Sequence, residues 1–597
     1  LFLTATSIPG SSIASTDILF PRKREGIIIA LIHAESANNG TSDGQMRAFI
    51  RIGTDYTQNY YEYSVPLKLT PQGTGVDARA IWPLENEIDV AFKEFIEVKA
   101  LRNQARASRT RPFTSEVNGK SITIVGNPDF SAVQGVMIGV MNPKDNNLDQ
   151  SVCIWVNELR VSDFDRSDDG WAATTRVNAK LADLADITAT GRYTAAGFGS
   201  IQQKIAQRAR ENTMQFDVNG NIVADKFLPN KLGLKVPVSV QYSLLESEPR
   251  YDPLEGDMDL DKSLEKFETP EEKTEYRREV VNRTTTKSLS LLNVRKEKTD
   301  PNSKPRIYDI ENISLSYAYS EKLHTDIVTD RDLTKVYTGG LAYTYNATPK
   351  NYAPFEQSAR FKSPYLKPLK ELNATFMPSR LAFRADLDRR YNELQLQRRL
   401  STYDLPTPRG IQPTFMKSFY FNRIYDLKWD LTKALSFDYT ATNRAIIDEL
   451  DGADRPENNS VIWDNLKNMG RNTNFDQTAA LNYRLPLDKF PLTDWISADT
   501  RYAATYSWTA SSTALNAISD TATSQLQLGN TIQNNAEVSV NGRIDMVKLY
   551  NKVKFLNKIN NAPPKSAQKT APKTIPLRAK PGEKPEDAGK PAKDTTN

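Results

Sequence analysis

The stretch from Phe421 to Ala441 leaves little freedom in how the chain around it can fold. Phe421, Tyr425, Leu427, Trp429 and Leu431 share one parity, while Asn422, Asp426, Lys428 and Asp430 fill the other. Thr432, Lys433 and Ala434 interrupt the pattern, and Leu435, Phe437 and Tyr439 then resume it opposite Ser436, Asp438 and Thr440. Successive side chains of a strand point to opposite faces, so this alternation predicts a long β-hairpin with a tight turn. A second run places Leu232, Leu234, Val236, Val238, Val240 and Tyr242 on one face, with Gly233, Lys235, Pro237, Ser239, Gln241 and Ser243 on the other. Roughly 9 to 11 tilted residues suffice for a strand to cross a bilayer. The candidates for a lipid-facing side are therefore Leu232, Leu234, Val236, Val238, Val240, Tyr425, Leu427, Trp429, Leu435, Phe437 and Tyr439.

Similar hairpins are expected at Val177 to Tyr193 with a turn near Asp183, at Leu372 to Tyr391 around Pro378, and at Phe475 to Trp508 around Asp488 to Asp494. A single strand is expected through Ala536, Val538, Val540, Ile544 and Met546. In all, about 12 to 14 such segments lie between Trp171 and Tyr550. Long polar excursions at Gly197 to Asn212, Glu246 to Thr285, Ala353 to Leu369 and Ile447 to Thr473 alternate with tight turns, as on the two rims of a barrel. Within the second excursion, charged Pro270 to Arg278 suits a solvated helix. Aromatics such as Tyr317, Tyr343, Tyr345, Trp429, Tyr502 and Trp508 fall in or near strand ends, where an amphipathic ring suits a headgroup region; cross-strand packing in a sandwich is the alternative.

Residues 1–165 have a different texture. Short strands are expected at Arg47 to Gly53, Tyr60 to Leu67, Ile122 to Val125, Val136 to Val140 and Val152 to Val161. Ile88, Phe92, Phe95 and Val98 recur at three- and four-residue steps, predicting a helix over Ile88 to Leu101 with Glu94, Glu97 and Lys99 on its other face. A jelly-roll β-sandwich accommodates this set. Acidic Asp163 to Gly170 reads as an exposed connection into residues 166–559, the strand region. Residues 560–597, rich in Pro, Lys and Ala, cannot bury a core and are expected to be disordered. The start at Leu1, with no basic stretch followed by an apolar one, reads as an internal piece of a longer protein.

Composition closes off several functions. The longest apolar run, Ile27 to Ile32, is far too short for a membrane helix, whereas a mean hydropathy of −0.56 is neutral between a soluble β-protein and a transmembrane barrel. The 78 basic and 73 acidic side chains nearly cancel without a basic stripe, so nucleic acid is not an expected partner. The single cysteine, Cys153, excludes a disulfide framework and reads as core packing. His33 and His324, far apart, leave no material for a triad or a two-histidine metal site. Gly119-Lys120-Ser121 lacks the upstream glycine of a phosphate loop, since position 114 is Thr114. Asp257, Asp259, Asp261 and Glu268 imitate calcium-loop spacing, but Lys262 replaces the turn glycine and opposes a cation, so a solvated acidic loop is expected. No catalytic, cofactor or metal residue emerges, and an enzyme is not expected.

Several stretches resemble the SprA/Sov family: Val156-Asn157-Glu158-Leu159-Arg160-Val161-Ser162-Asp163-Phe164-Asp165, Gly170-Trp171-Ala172-Ala173, Gly197-Phe198-Gly199-Ser200-Ile201, Leu228-Pro229 with Gly233 to Val240, and Leu528-Gly529-Asn530-Thr531-Ile532-Gln533-Asn534. Asn157, Glu158, Leu159, Arg160, Gly529 and Asn530 are structural signatures in this comparison. The resemblance implies a giant outer-membrane β-barrel, the translocon of type IX secretion, through which folded cargo proteins with type IX signal domains leave the cell. It also implies as partners outer-membrane lipid, a smaller PorV-like barrel and a periplasmic plug protein. Another outer-membrane transporter barrel and a soluble all-β surface adhesin are the competing readings.

Overall fold

The computed structural model describes residues 2–7, 12–18, 26–36, 40–71, 73–117, 120–143, 149–162, 170–200, 202–203, 208–299, 306–357, 363–397, 411–513 and 529–560. Most of the acidic connection at 163–169, Ile201 and Leu528 of the signatures, and the Pro/Lys-rich stretch 561–597 lie outside them. By contacts the chain divides into a large unit, residues 1–352, 374–482 and 501–538, and a smaller one, residues 353–373, 483–500 and 539–597. In the smaller unit the helix Met546–Lys552 is capped by Asp545, whose carboxylate accepts the Lys548 N–H at 3.1 Å, and Lys489 pairs with Glu371.

The first ten strands of the large unit are β1 (Phe2–Ser7), β2 (Ser12–Ile18), β3 (Ile27–Ser36), β4 (Arg47–Gly53), β5 (Tyr60–Pro66), β6 (Ile88–Ala91), β7 (Phe113–Val117), β8 (Lys120–Val125), β9 (Gly135–Met141) and β10 (Gln150–Ser162). They form two sheets, β1-β10-β3-β6 and β2-β9-β4-β5-β8-β7. With the β7–β8 hairpin set aside, this is the strand order of a jelly roll. Ile32, Ile50, Tyr61, Ile138 and Ile154 from the two sheets fill the space between them, together with Phe92, Phe95 and Phe130. Short α1 (Ala78–Ile81) and longer α2 (Phe92–Gln104) complete the module. The helix expected from Ile88 starts at Phe92 instead. Ile88 and Val90 are buried on either side of exposed Asp89 as β6 pairs with β3, and the Glu94 carboxylate accepts the Ala91 N–H at 3.0 Å to open the helix there. Cys153 lies between buried Val152 and Ile154 on β10, so it faces away from the core and is partly exposed, contrary to its expected role in core packing.

The strand region is one antiparallel sheet in chain order. Its members are β11 (Ala172–Leu181), β12 (Ala185–Thr194), β13 (Glu211–Val223), β14 (Leu234–Lys235), β15 (Pro237–Pro249), β16 (Asn282–Lys296), β17 (Ile313–Thr325), β18 (Thr329–Asn346), β21 (Arg380–Leu396), β22 (Thr414–Asp430), β23 (Leu435–Ile446), β24 (Arg471–Leu485), β25 (Ile496–Thr509) and β26 (Thr531–Ile544). A two-stranded ribbon, β19 (Asn351–Tyr352) with β20 (Ala374–Thr375), stands apart. Connections between the strands carry the helices α3 (Leu260–Leu264), α4 (Pro270–Val280), α5 (Lys367–Lys370) and α6 (Asn459–Lys467). Among the described residues the sheet is open, with β11 and β26 as its margins.

Local pattern and backbone disagree in four places. The run from Leu232 to Tyr242 is broken: Leu232 ends a 3₁₀ turn, Gly233 has φ 61° and its carbonyl accepts the Glu297 N–H, Val236 lies between strands, and β15 starts at Pro237. Pro378 lies in a connection rather than a hairpin turn, because β20 and β21 do not pair. Met546 opens a helix instead of ending β26. Finally, tight and long connections do not segregate by rim. The turns at 182–184 and 431–434 lie at one end of the sheet, with the long 347–379 connection, while the tight 326–328 turn shares the other end with 250–281.

The signature stretches have structural causes. Asn157 to Arg160 is a β-bulge, where β10 slips one residue against β3 between Asn157 and Arg160 and Glu158 takes φ 54°. Gly170 and the Gly197-Phe198 stretch meet at the start of β11: a Cβ on Gly170 would lie 1.8 Å from the Phe198 backbone nitrogen, and Trp171 packs on Tyr193 at 4.7 Å. The Gly170→Ala substitution is therefore expected to cost about 1–3 kcal/mol as overpacking and to speed hydrogen exchange across Ala172–Leu181, while Gly220→Ala, with open space around it, leaves exchange there unchanged. Asn530 accepts the Ser511 N–H at 3.0 Å and so fixes the entry into β26; nothing crowds Gly529.

Candidate functional site

Register settles which residues share a face. Moving strand by strand, Ile187 is opposite Gly220, Gly220 opposite Val240, Val240 opposite Leu289, Leu289 opposite Tyr319, and Tyr319 opposite Tyr337. On the later strands Tyr345 pairs with Leu381, Leu381 with Leu427 and Leu427 with Tyr439, while Phe383 pairs with Tyr425 and Trp429 with Phe437. Directly opposed residues of a sheet point to the same side. Val238, Val240, Tyr425, Leu427, Trp429, Leu435, Phe437 and Tyr439 therefore occupy one face of one sheet, although two distant sequence runs supply them. That face stays open: Val240 is 41% and Tyr425 39% exposed, and Phe216, Leu315 and Leu341 are similarly uncovered. A soluble sheet buries its apolar face under a second layer, and exposed apolar patches on soluble monomers rarely exceed a few hundred Å².

The other face is polar and internally bonded. Thr188 donates to Asn178 at 3.1 Å, Ser243 to Asp217 at 2.5 Å, Asn392 to Asp332 at 2.8 Å and Asn482 to Asp438 at 2.7 Å, while Arg380 pairs with Asp426 at 3.2 Å. His324 belongs here, bonded to Thr284 at 2.9 Å, and His33 is buried in the sandwich against the Ile81 carbonyl at 2.7 Å, so both histidines are structural.

On the apolar face, charge gathers at one end of the strands, where Lys287 meets Glu321 and Lys335 and Arg389 follow, while buried Arg423 lies further in, opposite Ala385. At the opposite end Lys296 pairs with Glu311 at 2.9 Å. Between these limits β18 runs from Tyr337 through Gly339, Leu341 and Tyr343 to Tyr345, about 27 Å along a strand. The stretch is a little over the roughly 25 Å apolar band of an outer-membrane barrel before any allowance for tilt.

Near the charged end, the connection from β23 to β24 folds back over this same face. Arg389 is held by Glu449 and Asp454 at 2.7 and 2.8 Å. Ile462 and Leu466 of α6 pack on Phe419, Phe421, Ala445 and Ile447, with Ala385 and Leu387 alongside.

A second constellation joins the sandwich to the β15–β16 connection. Asp257 is buried and accepts three bonds: from Lys99 Nζ at 2.7 Å, the Tyr61 hydroxyl at 2.6 Å and the Phe130 N–H at 3.4 Å. Glu255, also buried, accepts from Asn103 at 3.0 Å and Arg109 at 2.9 Å and stands 3.5 Å from Lys99. Asp252 receives the Tyr276 hydroxyl at 2.6 Å, tying α4 to the same connection. Gly256 comes so close to Asp129 that a Cβ would lie 2.5 Å from its carboxylate. The acidic run expected to be solvated is thus a buried lock, and Lys99, placed by helical spacing on a solvent face, is wholly inaccessible. Asp259, by contrast, is half exposed and only 3.9 Å from Arg250. Among the described residues no group of three or more His, Cys, Asp or Glu is arranged to hold a metal ion.

Burial pushes the Glu255 carboxyl up, but the positive charges of Lys99, Arg109 and Lys266 more than reverse this, leaving its pKa below the ordinary glutamate value. A carboxylate with a lowered folded pKa binds more protons when unfolded, so its stabilisation is complete above the ordinary value of about 4.3 and fades as pH falls through the folded value. Protease protection of residues 250–281 is expected to hold at pH 5 and decline only below about pH 4. In Glu255→Gln that part of the decline disappears.

Residues 24–264 match the family model SprA_N, described as a motility related/secretion protein. This match supports the resemblance to the SprA/Sov family over that stretch. The matched stretch runs from the sandwich through β15 to α3, so it contains both halves of the lock. The matched family is one of motility- and secretion-related proteins, and no helix among the described residues of this chain is long and apolar enough to cross a membrane. The comparison with curated proteins found no match.

Proposed function

We propose that the chain forms part of the wall of the outer-membrane, protein-conducting translocon of type IX secretion. The observation that carries this is the continuous two-faced sheet: an uncovered apolar face suited to lipid and a hydrogen-bonded polar face suited to a water-filled lumen. Barrel diameter grows with strand number, and barrels of 16 or more strands enclose an aqueous channel. A sheet of this breadth, as one arc of a larger barrel, passes folded cargo without chemistry of its own. No catalytic step is assigned to any residue, and no cofactor or nucleic acid is required. A pore of that width needs closure, which fits a PorV-like barrel at its side and a periplasmic plug below. The sandwich, locked to a rim connection, is a fixed fitting on one end of the wall.

The test is fractionation of the full-length parent protein in its bacterium, with secretion of a tagged type IX cargo followed with and without it. The expected result is an outer-membrane protein whose loss leaves folded cargo in the periplasm. A soluble parent protein, or unchanged export, would defeat the proposal.

A further inference from the structure

We infer that α6 is an interfacial anchor: a short amphipathic helix that seats the wall in one leaflet at the level of the lipid headgroups. The inference rests on the reading of the apolar face as lipid-facing. Three observations point to it.

The first is place. Ala385, Leu387, Phe419, Phe421 and Ala445 all lie on the apolar face by register, so the helix that packs on them lies outside the wall rather than in its lumen. The second is level. α6 sits where the apolar band gives way to charge, beside Arg389, which is opposite Tyr337 at the end of the band and is held by two carboxylates. That is the depth at which a bilayer changes from hydrocarbon to headgroup. The third is what the helix leaves uncovered. Ile462 and Leu466, four residues apart, are used against the sheet, yet Trp463 is 60% exposed, and Leu450 and Met469 flank it in the same connection. Asp464 and Lys467 complete the polar side. Tryptophan, with an apolar ring and one N–H donor, is the side chain best suited to a boundary where one side is dry and the other wet.

The occupant is a lipid surface rather than a protein groove because the exposed apolar residues continue, strand by strand, into the face already assigned to lipid. The connection is also held rigidly enough to bear load: Arg471 binds Asp448 at 2.9 Å, and Asn465 donates to the Asp448 carbonyl at 2.7 Å.

The full chain has seven tryptophans. It would be reconstituted in phosphatidylcholine vesicles with the other six changed to Phe, so that Trp463 is the only emitter. A second form, with all seven changed and Leu341→Trp added, reports the middle of the band. Nitroxide lipids labelled at the headgroup or deep in the acyl chain serve as quenchers. Trp463 is expected to show blue-shifted emission and stronger quenching by the headgroup label; the probe at 341 responds more to the deep label. The difference spectrum between the unaltered chain and Trp463→Phe repeats the measurement without multiple substitution. If the probe at 341 is quenched and Trp463 is not, the anchor is wrong and the lipid-facing wall stands; if neither is quenched, the wall falls and the anchor with it.

Discussion

Asp257→Ala is expected to destabilise the docking of residues 250–281 on the sandwich by about 3–5 kcal/mol, because removing one partner of a buried ion pair strands the other charge away from water. Here the stranded group is Lys99, which keeps only the Pro128 carbonyl at 2.9 Å and Glu255 at 3.5 Å. The Tyr61 hydroxyl and Phe130 N–H lose an acceptor in the same step. Hydrogen exchange should accelerate in α3, α4 and α2 together, while β18 to β23 keep their protection. The triple change Tyr61→Phe, Lys99→Met, Asp257→Leu separates lost attraction from stranded charge: an apolar set of similar volume should recover most of the stability. Equal losses in both variants would show that the contact depends on Asp257 itself rather than on charge balance.

Leu341→Arg should be the most damaging single change on the apolar face. Arginine near the mid-plane of a barrel's lipid face costs about 2–4 kcal/mol, and Leu341, in the middle of the band, sits between Leu315 and Ala385 with no carboxylate opposite it. Thr338→Arg, on the same strand, points to the other face, opposite Ala318 and Asp388, and is expected to be nearly neutral. Urea titration of protein folded in vesicles measures both. Equal effects at 341 and 338 would contradict the assignment of faces.

The strands were legible because their signal is local. A two-residue alternation survives in the residue string, and the hairpin around Thr432 forms β22 and β23 with the Thr432 N–H bonded to the Leu435 carbonyl at 3.0 Å. The break after Leu232 was hidden for the same reason: alternation in side-chain polarity does not register the positive φ of Gly233 or the departure from strand at Val236. The lock was illegible because its halves lie 158 residues apart. Lys99 on a helix and Asp257 in an acidic run each read as solvated, and only their meeting makes them interior. The role of α6 was concealed in a similar way, since a polar connection containing Trp463 looks like any loop until the register shows which side of the sheet it covers.

The margins of the sheet carry a practical consequence. β11 and β26, ten and fourteen residues long, have residues exposed along their whole length, and each is paired on one side only among the described residues. Bare strand margins of this length are templates for further pairing. In solution without lipid, this chain should self-associate, margin to margin, into ribbons that sediment. Handling it as a monomer will require capping both seams with extra strands, or with lysine or proline along them.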